Sequence, residues 1–126
     1  MKFLHTMIRV GDLDKSIDFY TNIIGLKLVR RKEYPHGNFT LAFLSIEEAD
    51  PEPFLELTYN WGIQEYDIGK GFGHIAIGVD DIYSICEAIK SKGGKITREP
   101  GPMTGSKSIL AFVEDPDGYK IEVLQR

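Results

Sequence analysis

Hydrophobic and polar residues alternate along several short stretches of the chain. In residues 3–10 the apolar side chains of Leu4, Ile8 and Val10 fall on one face, and those of His5 and Arg9 fall on the other. A period of two residues is typical of a strand with one buried face. The pattern therefore predicts that the chain begins with a strand that turns His5 and Arg9 to the same side.

The same reasoning predicts one order of elements, strand-helix-strand-strand-strand, that occurs twice. In each half an aspartate caps the helix and glycine ends it: Asp12 or Asp14 and Gly25 in the first, Asp80 or Asp81 and Gly93-Gly94 in the second. The expected strands lie at residues 3–10, 26–32, 38–45 and 54–59, and again at 72–79, 96–98, 108–114 and 119–124. Residues 60–71 join the halves, and residues 99–107 are expected to form a loop.

A sequence repeat supports this duplication. At an offset of 69 residues His5 matches His74, and Leu-Ala-Phe-Leu at 41–44 matches Leu-Ala-Phe-Val at 110–113. Near the end of each half the offset falls to 66, and Glu56 then matches Glu122. We therefore predict an α+β fold of two βαβββ modules, residues 1–65 and 66–126, within one domain that spans residues 1–126.

The four matched residues His5, Glu56, His74 and Glu122 are candidate metal ligands. A carboxylate within an apolar strand such as Phe-Leu-Glu-Leu or Lys-Ile-Glu-Val is costly to bury unless it is paired, and a divalent cation removes that cost. Taken singly, such a glutamate is more often an outward-facing residue on an edge strand, and such a histidine is more often a core or surface histidine. Their occurrence in both halves favours a metal site with nitrogen and oxygen ligands, suited to Ni, Co, Zn, Mn or Fe(II), with room left for substrate oxygens.

Composition narrows the function further. The chain has 126 residues, 42% of them hydrophobic and 27% charged, with a net charge of -4 and a single cysteine, Cys86. These values are typical of a globular protein and show no excess of basic residues that would bind nucleic acid or an anionic membrane. No apolar run is long enough to cross a bilayer. We expect a cytoplasmic protein with a small-molecule substrate and with Cys86 reduced and buried.

Several motifs resemble those of the glyoxalase I family in the vicinal-oxygen-chelate superfamily. They are Leu-His-Thr-Met-Ile-Arg-Val at 4–10, Ser-Ile-Asp-Phe-Tyr at 16–20, Glu-Leu-Thr-Tyr-Asn-Trp-Gly at 56–62, Gly-Phe-Gly-His-Ile at 71–75 and Phe-Val-Glu-Asp-Pro-Asp-Gly-Tyr at 112–119. The resemblance covers essentially the whole chain. It implies half-barrels that are completed in a homodimer, with each active site at the subunit interface. It also implies isomerisation of the hemithioacetal of methylglyoxal and glutathione to S-lactoylglutathione.

The resemblance also implies roles for individual residues. His5 and Glu56 of one subunit would share a metal with His74 and Glu122 of the other, and Glu122, assisted by Glu56, would move the proton. His5 as the first ligand, where many eukaryotic members have glutamine, and the short segment between Trp61 and Phe72 are similar to the compact bacterial type, which prefers Ni(II) or Co(II) over Zn(II).

For the glutathione portion, the resemblance implies that Arg9 and Asn60 hold the γ-glutamyl end. Lys70 stands where the family has an arginine that binds a carboxylate, and Arg98 matches a basic residue that meets the glycyl end. Lysine keeps the charge of that arginine but lacks its bidentate geometry.

Two alternatives remain open. One is another metalloenzyme of the same superfamily, such as an epimerase, a dioxygenase or a thiol transferase. The other is a non-catalytic binding protein of the bleomycin-resistance kind, which lacks the metal. A metal assay on the purified protein separates the second alternative from the enzymes.

Overall fold

The computed structural model describes all 126 residues and contains two compact units, Met1–Asp67 and Ile68–Arg126. Each unit has the order strand, helix and three further strands, so the predicted α+β fold of repeated βαβββ modules is confirmed. The first unit comprises β1 (His5–Arg9), α1 (Leu13–Asp18), β2 (Lys27–Tyr34), β3 (Phe39–Ser45) and β4 (Phe54–Asn60). The second comprises β5 (Ile75–Val79), α2 (Ile82–Ser91), β6 (Lys95–Pro102), β7 (Ile109–Glu114) and β8 (Lys120–Gln125).

The two sheets have the same topology. Their strand orders are β1-β4-β3-β2 and β5-β8-β7-β6. The first strand of each unit pairs in parallel with the last, and the remaining neighbours are antiparallel. Each module therefore places its first strand at one edge of the sheet, directly beside the strand that carries the predicted glutamate.

Each sheet buries one face. On β4, Leu55 and Leu57 are buried while Glu56 between them points to the other side, and on β8 Ile121 and Val123 flank Glu122 in the same way. The helix-side core of the first unit also contains Ile8, Val10, Leu13, Phe19 and Tyr20; that of the second contains Ile82, Cys86 and Ile89. The alternation of residues along each strand therefore separates a packed core from a face that carries the candidate chemistry.

Matched aspartates begin the two helices. The Asp12 carboxylate accepts a hydrogen bond from the Lys15 main-chain N–H, and Asp81 accepts one from that of Ser84. Both residues have extended backbone conformations, as capping requires. Of the two predicted candidates in each half, the structure selects Asp12 and Asp81, which are 69 residues apart like His5 and His74.

Two predicted elements differ from the structure. The first helix continues after Asp18 as a π-helix, Phe19–Ile24, before Gly25 ends it in the left-handed conformation at φ 104°. In the second unit, β6 extends to Pro102, so half of the loop predicted at residues 99–107 is strand. Because β6 lies at the sheet edge, prolines there remove no hydrogen bond that an inner strand would need.

Candidate metal and substrate site

The first unit brings His5 and Glu56 together. In the parallel pairing of β1 and β4, Met7 lies opposite Glu56, so His5 precedes the paired position by two residues and shares its face. His5 Nε2 lies 3.3 Å from Glu56 Oε2. The Glu56 side chain is only 12% exposed, whereas that of His5 is 41% exposed. The carboxylate is therefore held within the sheet while the imidazole remains accessible from outside.

The second unit repeats this arrangement with His74 and Glu122. Ala76 lies opposite Glu122 in the pairing of β5 and β8, so His74 stands in the same relation to Glu122 as His5 does to Glu56. His74 Nε2 lies 3.5 Å from Glu122 Oε2, and the exposed fractions of the two side chains are 42% and 14%. The two His–Glu pairs are thus nearly identical in spacing and burial.

A phenylalanine accompanies each pair. Phe43 lies opposite Glu56 in the sheet and meets the His5 ring edge-on with 6.0 Å between centroids. Phe112 lies opposite Glu122 and meets His74 at 5.5 Å in a similar geometry. These contacts limit rotation of the imidazoles. Both phenylalanines lie in the repeated Leu-Ala-Phe segments, which signal duplication in the sequence but do not reveal that the rings contact the histidines.

The geometry of the pairs fits two neighbouring ligands of one metal ion. Ligands that each lie about 2.1 Å from an ion, at roughly 90–110° to one another, are about 3.0–3.4 Å apart. The observed nitrogen–oxygen distances of 3.3 and 3.5 Å are close to this range. Neither unit by itself groups three or more His, Cys, Asp or Glu side chains that could hold a metal. Each unit therefore offers half of the predicted ligand set.

The predicted γ-glutamyl contacts both lie in the first unit. Arg9 is on the same face of β1 as His5 and is exposed. Asn60 ends β4, and its side-chain amide donates a hydrogen bond to the Tyr66 hydroxyl at 3.0 Å. Sequence reasoning did not single out Tyr66, because nothing in its spacing indicates that it returns to Asn60.

The segment after β4 is anchored by Trp61. The indole Nε1 donates to the Thr40 hydroxyl at 2.9 Å, and the Trp61 main-chain N–H donates to the Asn38 carbonyl. The following Gly62 N–H donates to the Tyr59 hydroxyl. These bonds fix the chain on both sides of Asn60, which orients its amide.

The other two predicted substrate contacts, Lys70 and Arg98, lie in the second unit. Lys70 is exposed in the segment before His74. Arg98 is half-buried, and its Nη1 donates to the carbonyls of Leu110 at 2.7 Å and Gly101 at 3.2 Å, while Nη2 donates to that of Pro102 at 3.0 Å. Both terminal nitrogens of Arg98 therefore hold the main chain of β6 and β7, and a substrate contact would use its remaining N–H groups.

Two groups on α2 have shifted pKa values. Burial, and secondarily the Glu99 carboxylate, raise the pKa of the Cys86 thiol, so the thiol stays neutral at physiological pH. A hydrogen bond to Glu99 raises the pKa of Lys90. As predicted, Cys86 is buried; its neutral thiol makes it a core residue and a poor nucleophile.

The fold and the duplicated pairs define a protein of the vicinal-oxygen-chelate type. The sequence matches the Glyoxalase/Bleomycin resistance protein/Dioxygenase superfamily over residues 2–123, and the chain belongs to this family. It is 60% identical over 125 residues to the probable lactoylglutathione lyase of Synechocystis sp., covering 99% of this chain and 95% of that protein. It is 55% identical to the lactoylglutathione lyase of Haemophilus influenzae, covering 99% and 93% of the two proteins.

Solved structures agree with these relatives. Glyoxalase I from Zea mays superimposes with a TM-score of 0.95 at 52% identity, covering 99% of this chain but only 44% of the maize chain. This chain thus spans less than half of the maize protein. The trypanothione-dependent glyoxalase I of Leishmania major has a TM-score of 0.87 at 43% identity, covering 99% and 86%. The resemblance predicted from the sequence is confirmed. Neither helix has the length and apolar character needed to span a membrane.

Proposed function

We propose that this chain is a lactoylglutathione lyase that isomerises the hemithioacetal of methylglyoxal and glutathione to S-lactoylglutathione. The observation that carries the proposal is identity of 53–60% along almost the whole chain to proteins of that name. The duplicated His–Glu pairs supply the chemistry that such an enzyme requires. This reaction contributes to methylglyoxal detoxification.

A divalent metal is proposed to bind at His5, Glu56, His74 and Glu122. When bound, it acts as a Lewis acid toward the two vicinal oxygens of the substrate. A ligand set of imidazole and carboxylate without thiolate suits Ni(II), which we propose as the metal, with Co(II) and Zn(II) as the alternatives. The near-identical distances within the two pairs support an equal contribution from each module.

The proposed assembly is a homodimer with active sites at the subunit interface. In it, His5 and Glu56 of one protomer and His74 and Glu122 of its partner form one site, as the family resemblance implies. Each unit carries only one pair, which supports a shared site. β1, which begins at His5, and β5, which follows His74, both lie at the edge of their sheets, where a second subunit can approach. The organisation of residues 1–126 as one domain, with a module boundary after residue 65, stays a prediction.

Proton transfer is assigned to Glu122. Its carboxylate removes the proton from C1 of the hemithioacetal, the C–H electron pair forms the carbon–carbon double bond of an enediolate, and the C2 carbonyl π electrons move to the C2 oxygen. The same carboxyl returns the proton to C2, and the proton of the C1 hydroxyl passes to the C2 oxygen as the thioester carbonyl forms. One carbon is oxidised and its neighbour reduced, so no redox cofactor is needed. The 14% exposure of Glu122 limits access of water to the transferred proton. Glu56, equally sheltered, is placed to assist.

Binding of glutathione is assigned to residues of both modules. Arg9 and Asn60 are proposed to bind the γ-glutamyl end, and the orientation of Asn60 by Tyr66 supports its role. Lys70 is proposed to bind a carboxylate of glutathione, and Arg98 is proposed to meet the glycyl end. We place the enzyme in the cytoplasm, because a reduced thiol is its co-substrate and its own cysteine is unpaired.

Reconstitution tests this function. Metal-free protein is loaded with Ni(II), Co(II) or Zn(II) and given methylglyoxal and glutathione, and the thioester absorbance of the product is followed. We expect turnover only with metal. Glu122→Gln should lower kcat by about a hundredfold or more while the metal stays bound, because the amide cannot accept the proton.

Glu87→Gln, an exposed carboxylate on α2, is the matched control and should keep full activity. Wild-type turnover by Glu122→Gln with metal bound would refute the assignment of the base. Absence of metal binding in the wild-type protein would instead favour a binding protein of the bleomycin-resistance kind.

A further inference from the structure

The second unit contains a cavity of about 520 Å³ beside His74. Its walls include the rings of Phe72 and Phe112, three glycines, and Lys120. A cavity of this size accommodates part of a small organic ligand. Since His74 lines it, a molecule in the cavity lies next to the proposed metal site.

Lys120 is the cation in this lining. It lies two residues before Glu122 on β8 and therefore on the same face of the sheet. Ile75 pairs with Ile121, so Lys120 and His74 occupy neighbouring positions at the start of the parallel strands. The corresponding position in the first unit is occupied by Phe54, which pairs with His5 and packs on Phe43. A positive charge at this position is thus specific to the second unit.

The Lys120 ammonium has no ion-pair partner. Its cross-strand neighbour is Glu114, whose carboxylate instead binds Lys95 at 2.8 Å on the far side. Arg98, which pairs with Phe112 of the cavity wall, directs both terminal nitrogens to main-chain carbonyls. An exposed ammonium against an apolar cavity offers a counter-charge to an anion whose remaining atoms lie against Phe72 and Phe112.

We propose that Lys120 is a specificity-determining residue that binds the glycine carboxylate of glutathione. The inference rests on the proposed function, which sets the thiol adduct at Glu122 and gives the γ-glutamyl end to the first unit. The glycine carboxylate is then the anion left for the second unit, where Lys120 supplements Arg98, whose terminal nitrogens already hold main-chain carbonyls.

Calorimetric titration of the metal-loaded protein tests this assignment. The probes are S-methylglutathione, its glycinamide analogue, and an analogue without the γ-glutamyl carboxylate. Lys120→Met should weaken binding of S-methylglutathione about tenfold, as expected for one charge-assisted hydrogen bond at a half-open site. Binding of the glycinamide should change less than about twofold, because that contact is already absent. The third probe should be weakened as much as the first.

Two further variants separate charge from structure. Lys120→Arg should keep most of the affinity, since it restores the cation. Lys92→Met removes the same charge from the exposed end of α2 and should leave binding unchanged. In turnover assays, Lys120→Met should raise KM and spare kcat, because the ammonium does not touch the reacting carbons.

The outcomes are distinguishable. Equal weakening of S-methylglutathione and its glycinamide by Lys120→Met, or no weakening of either, would overturn the assignment while leaving the proposed function intact. The assignment would also be overturned if Lys120→Met weakened binding of every probe except the one that lacks the γ-glutamyl carboxylate, because Lys120 would then bind the γ-glutamyl end. If the wild-type protein bound the probes through Lys120 but showed no turnover, the carboxylate site at Lys120 would stand and the proposed lyase activity would be refuted. No binding of any probe by wild type would refute both.

Discussion

Arg98→Met separates two roles for a residue that the family resemblance assigns to substrate. In the structure its guanidinium joins the end of β6 to β7 through the carbonyls of Leu110, Gly101 and Pro102, at 2.7, 3.2 and 3.0 Å. Methionine keeps much of the aliphatic stem and removes all these donors. If the bonds are the main role of Arg98, the variant should lose stability first and substrate affinity only as a consequence.

The expected loss follows from these three bonds. A hydrogen bond to a charged group contributes about 1.5–3 kcal/mol when sheltered, and less where water can replace the donor. Since Arg98 is half-buried and two of the carbonyls lie on the sheet edge, we expect the free energy of unfolding to fall by about 2–4 kcal/mol in total. For a chain of this length that corresponds to a Tm lower by roughly 8–15 °C.

Arg30→Met is the matched control. Arg30 on β2 lies opposite Phe43, as Arg98 on β6 lies opposite Phe112, and each arginine directly follows a β-bulge. The Arg30 guanidinium lies over the Phe43 ring at 4.2 Å. An exposed contact of that kind contributes about 0.5–1 kcal/mol, so the Tm of Arg30→Met should fall by only about 2–4 °C.

Urea and thermal unfolding at one fixed protein concentration measure both variants, because dissociation of a dimer would make Tm depend on concentration. KM for the hemithioacetal is measured well below the Tm of Arg98→Met. Wild-type stability combined with a tenfold higher KM would refute the structural reading and establish Arg98 as a substrate contact.

Two further predictions concern the first unit and the assembly. Gly11→Ala should lower the free energy of unfolding by about 1–3 kcal/mol, because the new Cβ would overlap the Gln64 carbonyl oxygen. Gly71→Ala, which has open space at its Cβ, should not lower it, and equal melting curves for the two variants would exclude this clash. Mixing the inactive variants Glu56→Ala and Glu122→Ala should restore about a quarter of wild-type activity, since half the dimers are mixed and each holds one intact site. Absence of recovery after demonstrated subunit exchange would contradict the shared site.

The period-2 pattern and the repeat were sufficient to predict most of the fold. His5, Glu56, His74 and Glu122 could be paired by module because parallel strands that bury alternate residues fix which side chains share a face. Local chemistry also located the helix starts, where a short acidic side chain is needed for the first free N–H groups. The sequence pattern could not distinguish Asp12 from Asp14 as the helix cap, since both lie near the first turn.

Features that depend on tertiary packing escaped prediction. The π-helical end of the first helix shifts the bonding by one residue, so that Gly25 N–H bonds to the Tyr20 carbonyl, and the apolar spacing does not reveal this. Pro100, Gly101 and Pro102 read as a loop, yet an edge position and the Arg98 hydrogen bonds allow strand geometry there. In both places neighbouring elements override the local preference of the sequence.

The differences between the two modules indicate how a duplicated scaffold can hold an unsymmetrical substrate. A metal ion accepts equivalent pairs, and the modules supply them with nitrogen–oxygen distances of 3.3 and 3.5 Å. A hemithioacetal of glutathione has two unlike ends, however, and equivalent surroundings would bind it in two orientations. Beside the histidine the first unit has Phe54, and the second has Lys120 with no ionic partner. On the proposed assignments, Arg9 of the first unit and Lys120 of the second hold different ends of glutathione, and this difference between the modules favours one orientation of the substrate.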